Sequence, residues 1–172
     1  MVMKRLLTGT LLLFCLASVA QQPYSEESFK KYFEQRIDSL DQLEGIWNVS
    51  TIQQFYRYDT LYDVIKYPKG ARIAIMKKGD HYDSFNLTGE SYNVEFMQSD
   101  VAGVYVYKNY FKETDSYSKA SAVISKNGRM EFSYEFPDNY LRFKFSDSYE
   151  EGTRVINNTS WTRVFPEEKK KK

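Results

Sequence analysis

Met130-Glu131-Phe132-Ser133-Tyr134-Glu135-Phe136 alternates apolar and polar residues without a break, the period-two pattern of a strand with one dry face and one wet face. Asn127-Gly128 supplies a turn signal just ahead of it, and Lys119-Ala120-Ser121-Ala122-Val123-Ile124-Ser125 precedes the turn as a second strand. The side chains choose the loop length. A two-residue loop would set Val123 against Phe132 and turn Ala120, Ala122 and Ile124 toward the acidic face. A three-residue loop, Lys126-Asn127-Gly128 with Gly128 left-handed, pairs Ile124 with Met130, Ala122 with Phe132 and Ala120 with Tyr134, small against large on the dry side. The pattern predicts the three-residue loop.

The same period runs outward from this hairpin. Strands are expected over Gly45–Tyr56, Leu61–Tyr67, Ala71–Lys77, Tyr82–Leu87, Tyr92–Gln98, Val104–Phe111 and Ser160–Phe165, and Leu141, Phe143 and Phe145 alternate with Arg142 and Lys144 as a further one. Turn signals such as Pro68–Gly70, Gly79-Asp80, Gly89 and Pro137–Asn139 separate them, and no interval is long enough for a helical crossover. With the central hairpin this makes about ten strands, hence an all-β, antiparallel, sequentially connected domain over residues 44–166.

Ahead of it the period changes. Phe29, Phe33, Ile37 and Leu40, joined by Tyr32 and Leu43, recur at steps of three and four, predicting one amphipathic helix within residues 21–43. Ser25 is placed to cap it, and Glu26-Glu27 fall in the first turn, where the helix dipole favours negative charge. Its apolar stripe is expected to cover the end or flank of the β domain.

Residues 1–20 read as an address. Lys4 and Arg5 precede the apolar run Leu11–Leu16, and Ser18 and Ala20 give the small-residue spacing of a cleavage site, so a signal peptide and a secreted or periplasmic location are expected. The run is too short to span a bilayer comfortably, so no transmembrane anchor is expected after cleavage. Its removal takes away Lys4, Arg5 and Cys15, the sole cysteine, leaving a mature chain that must be held by its core without disulfides. Lys169–Lys172 end the chain, so residues 167–172 are expected to be a disordered basic tail and the body between is mildly acidic.

Composition narrows the chemistry. In 172 residues, 24 Lys and Arg nearly balance 23 Asp and Glu, which gives no basic footprint for nucleic acid. One His and one Cys cannot build a His/Cys metal cluster in one subunit. His81 sits in a tight turn beside Asp80 with Ser84 three positions on, yet no nucleophile has an orienting third group. The carboxylate pairs Glu26-Glu27, Glu150-Glu151 and Glu167-Glu168 are adjacent in sequence and read as solvated, and no calcium or phosphate loop occurs. No catalytic residues, metal or cofactor are expected, and the chain reads as a non-enzyme.

Glu44-Gly45-Ile46-Trp47, opening the first strand straight after the helix, resembles the Gly-x-Trp signature of the lipocalin and fatty-acid-binding (calycin) barrels. The last strand, Ser160-Trp161-Thr162-Arg163-Val164-Phe165-Pro166, carries an arginine where those families place a basic side chain across the first-strand tryptophan. The chain is also similar to small secreted bacterial proteins, and to C-terminal modules of some bacterial proteases, that open with Glu-Gly-Ile-Trp and end with Trp-x-Arg/Lys-x-x-Pro. The resemblance implies an up-and-down barrel of eight to ten strands in which Trp47 and Arg163 close one end. It also implies a binding protein carrying a small hydrophobic or aromatic ligand. Tyr105, Tyr107, Phe132, Tyr134 and Phe143 are the residues expected to line the interior. The alternative is an interaction module that presents its aromatic faces, or the helix, to a protein or glycan.

Overall fold

The computed structural model describes residues 25–167, so the expected signal peptide, residues 21–24 and the expected basic tail from residue 168 onward lie outside the described part. Its order is α1 (Glu26–Glu34), β1 (Gly45–Arg57), β2 (Thr60–Lys78), β3 (His81–Asn86), β4 (Ser91–Gln98), β5 (Val104–Phe111), β6 (Ser116–Ile124), β7 (Arg129–Glu135), α2 (Asp138–Lys144) and β8 (Thr153–Phe165). The eight strands follow one another around a closed antiparallel barrel, and β8 returns to pair with β1 from Ile46↔Phe165 down to Arg57↔Thr153. The expected fold class, an antiparallel up-and-down barrel preceded by one N-terminal helix, is present, with eight strands.

The central hairpin is as expected. Ile124 lies opposite Met130, and Gly128 has φ of 69°, the left-handed conformation that the three-residue loop demands. Two of the ten expected strands are absent as such, for different reasons. The segments Leu61–Tyr67 and Ala71–Lys77 are one strand, β2, which carries Pro68–Gly70 as a bulge: the partner of Val49 is Ala71, but that of Thr51 is already Tyr67. Pro68 is tolerated there because β3 pairs only with the stretch from Ile73 to Lys78, so the outer edge of β2 asks no hydrogen bond of it.

The expected strand at Leu141–Phe145 is the helix α2. Its Leu141, Phe143 and Phe145 fit either period over so short a run. Pro137 stands at the N-cap with Asp138 in the first turn, and the Asp138–Arg142 ion pair at 2.7 Å ties one turn to the next. Leu141 and Phe145 pack with Phe55 and Val155 at one end of the barrel, while Phe143 is 56% exposed.

The N-terminal helix is shorter than its periodicity predicts. Ser25 caps it through its side chain, and Phe29 and Phe33 are buried, but Arg36 and Ile37 bond back over three residues and the helix ends. Of the three apolar residues beyond it, Ile37 is exposed and the other two have different destinations. Leu40 joins Phe29, Phe33 and Ile46 on the outside of the barrel, whereas Leu43 enters the interior beside Trp47. A straight helix could not reach both places.

The 35–44 segment closes the barrel end. Trp47 is fully buried, donates its indole N–H to the Leu43 carbonyl at 3.0 Å, and lies under the Arg163 guanidinium, whose central carbon is 4.9 Å from the ring centroid. Arg163 also donates to the Gln42 carbonyl, tying the last strand to the lid. Gly45 is required here: its φ is 141°, and a Cβ would run into the Phe165 carbonyl where the first and last strands meet. Asp41 accepts from the Tyr105 hydroxyl at 2.9 Å and from Lys77 at 3.3 Å. Glu44, also buried, accepts the backbone N–H groups of Asp41 and Lys77. Among the described residues no helix is long and apolar enough to cross a membrane.

Two measurements check this closure. Trp47→Ala is expected to cost about 3–5 kcal/mol in urea unfolding followed by far-UV circular dichroism; a loss within error contradicts the plug. Burial works to raise the Asp41 carboxyl, but the neighbouring Tyr82 hydroxyl and hydrogen bonds from Tyr105, Lys77 and the Leu43 backbone outweigh it and hold it below the usual carboxylate value. Its contribution is therefore complete above the unfolded-state pKa of about 3.9 and is lost as pH falls from there through the lower folded value. Wild type should exceed Asp41→Asn in stability at pH 6, with the gap closing as the pH is taken below 4. A gap constant down to that range would exclude the linkage.

Candidate functional site

The barrel interior is divided along its length. At the closed end Leu43, Trp47, Ile73, Ile75, Tyr82 and Met130 fill the cross-section. An aromatic layer follows, with Phe96 and Trp161 at 5.5 Å and Tyr107 and Phe132 at 4.3 Å between ring centroids. Beyond that layer the barrel opens into a cavity of about 340 Å³.

The opening arises from unequal strands. β1 and β8 have 13 residues each, but β3 has six, so the lower half of β2 has no neighbour on its outer side among the described residues and the wall is incomplete there. Thr51 from β1, Thr159 and Trp161 from β8, Tyr107 from β5, Tyr134 from β7 and Tyr140 from α2 border the cavity. Tyr92, Asn93, Asn109 and Tyr110 complete its mouth, and among the described residues Glu113 is the one formally charged side chain in the lining.

Of the five residues expected to line the interior, Tyr107 and Tyr134 border the cavity. Phe132 is interior and packs behind both of them. Tyr105 is interior too, but it belongs to the plug: its hydroxyl is held by Asp41 and its ring meets Tyr82 edge-on at 5.6 Å. Phe143 lies outside the barrel, on α2, because its segment is helical. Trp47 and Arg163 stand together as the barrel-closing pair.

The rest of the mouth was not identified from sequence. Tyr92 shares the phase of Val94 and Phe96, so strand alternation alone could have placed it inward. Asn93 breaks that alternation: its φ of 48° is left-handed, and it joins its neighbours on the cavity border. Tyr140 could not be found while its segment read as a strand.

Burial raises the pKa of Tyr92, Tyr107, Tyr134 and Tyr140, and the Tyr107 and Tyr134 rings lie side by side, 5.0 Å between centroids. All four are neutral phenols at physiological pH. Asn157, opposite Tyr134 on β8, accepts from the Gln53 amide at 3.0 Å, and its own buried Nδ2 has no partner among the described residues. Thr159 is satisfied, accepting from the Trp161 indole at 3.0 Å and donating to the Ser50 carbonyl at 3.1 Å.

The remaining candidates stand apart from this cavity. His81 lies between Asp80 and Asp83, at 3.2 and 3.4 Å, at the start of β3, while the Ser84 hydroxyl is buried and donates to the Val94 carbonyl. Among the described residues no group of three or more His, Cys, Asp or Glu side chains is gathered to hold a metal ion. What the cavity offers chemically is aromatic and aliphatic surface, neutral hydroxyls, amides and the Glu113 carboxylate. No protein-family model, no curated protein and no solved structure matches the chain.

Proposed function

We propose that this chain is a secreted, non-catalytic binding protein of calycin type that carries a small hydrophobic or aromatic ligand in the open end of its barrel. The observation that carries the reading is the 340 Å³ cavity walled by Tyr107, Tyr134, Tyr140 and Trp161, a volume within the roughly 300–1,000 Å³ of small-molecule sites. Aromatic faces with hydroxyl handles suit a planar ligand better than a flexible acyl chain. The calycin assignment is supported by Gly45, Trp47 and Arg163, which stand at the first- and last-strand positions where that family's closing residues stand. The signal-peptide pattern of residues 1–20 supports export.

One observation favours the second reading, an interaction module. From Thr60 to Gly70 every residue of β2 is exposed, including Leu61, Tyr62, Val64 and Tyr67, and among the described residues no strand covers that edge. Such an edge can accept an added strand. Asp63, Lys66 and Pro68 lie along it, residue types that blunt edge pairing, which is why the cavity is preferred as the site.

Native mass spectrometry of the purified mature chain decides between them. A small-molecule adduct that disappears in Asn109→Trp, a substitution at the cavity mouth, with the fold intact by circular dichroism, is the expected result. A ligand-free chain that forms dimers abolished by Val64→Pro would instead favour the edge.

A further inference from the structure

Resting on that binding reading, we infer that the cavity selects an uncharged aromatic ligand bearing a hydrogen-bond acceptor, such as an amide, ester or ether, and discriminates against the carboxylates that barrels with a basic interior residue would hold. Three features of the wall lead to this class.

Among the described residues no cation borders the cavity. Its lining contains no Lys, Arg or His, and Lys108, on β5 between lining residues, is drawn away by Glu95 at 3.0 Å. The single charge is Glu113, which is negative and stands on the turn after β5. A carboxylate entering here would give up its water for neutral donors alone, with a like charge at the mouth, which is the costly way to bury an ion.

Neutral donors are nevertheless present. Tyr107 and Tyr134 border the cavity with ring centroids 5.0 Å apart, and a bond between their two hydroxyls would use one proton and leave the other for an occupant. The side chains of Asn93 and Asn109 border the same cavity and bring amide groups to its mouth. A ligand acceptor placed against the Tyr107 and Tyr134 hydroxyls would take a neutral hydrogen bond there. Because burial raises the pKa of both phenols, they remain donors throughout the physiological range.

The remaining surface is aromatic. Tyr107, Tyr140 and Trp161 present rings to the cavity, and these favour a flat π-system over a branched aliphatic one.

Indole-3-acetamide and indole-3-acetate are close to isosteric and differ at pH 7 in charge and donor pattern, so the pair isolates the question. Isothermal titration calorimetry of the mature chain should show the amide binding at least about ten-fold more tightly than the carboxylate. In Tyr134→Phe, which keeps the ring and loses the hydroxyl, the amide should weaken about five-fold and the ratio should shrink. Equal affinities, or a tighter carboxylate, would overturn the inference while leaving the binding reading in place. An unchanged ratio in Tyr134→Phe would remove Tyr134 from it. Heat from neither ligand, with the protein folded, would count against the binding reading itself.

Discussion

The structure depends on the antiparallel pairing of its first strand with its last. β1 bonds to β2 on one side and to β8 on the other along nearly its whole length, so it is the seam at which the sheet becomes a barrel with no edge in its upper half. Pairing alone would leave the end open to water. Trp47, set on β1 two residues after the glycine that lets Phe165 approach, fills that end. Its indole is bonded to Leu43 and covered by Arg163 from β8, so the two strands and the lid are joined through one side chain. The lid in turn holds Asp41 and Glu44, whose carboxylates gather Tyr105 and the backbone of β2.

Filling one end leaves the other free. Core side chains occupy the closed half and the aromatic layer beneath it, and β3 is too short to extend the wall further. The cavity therefore follows from strand length as much as from side-chain choice. Its donors are positioned by rigid strands: Tyr107 and Tyr134 sit on β5 and β7, each held in a ladder, which keeps the site pre-formed. α2 closes part of the far end with Leu141 and brings Tyr140 to the border, so a helix of seven residues takes the place that an additional strand would hold in a longer barrel.

Much of this was legible in residue order. Period-two alternation gave the β class, and small-against-large pairing gave the register of the β6–β7 hairpin. Gly45, Trp47 and Arg163 pointed to the closed end. What was not legible turned on places where local pattern and tertiary demand part. Leu141, Phe143 and Phe145 are consistent with both periods, and the choice falls to the space at the barrel end that Leu141 fills. Pro68 reads as a strand terminator, yet an edge with no neighbour lets β2 run through it. Ile37 and Leu40 continue the helical phase of Phe29 and Phe33, but the chain must bend to bring Leu43 inside. For the site, alternation could say that Tyr105, Tyr107 and Tyr134 share an inner face. It could not say that Tyr105 belongs to the plug and the other two to the cavity, because that depends on depth along the barrel.

The division into a plugged end and an open end is the central claim, and the chain's two tryptophans report on one end each. Trp47 gives its indole proton to Leu43 inside the plug, and Trp161 gives its own to Thr159 at the cavity wall. Hydrogen exchange of the two indole N–H groups, followed by ¹H–¹⁵N correlation spectra, compares them directly. The Trp47 proton should exchange only through global unfolding, and the Trp161 proton at least about ten-fold faster through the open end. Trp47 exchanging as fast as Trp161, or faster, would contradict the account.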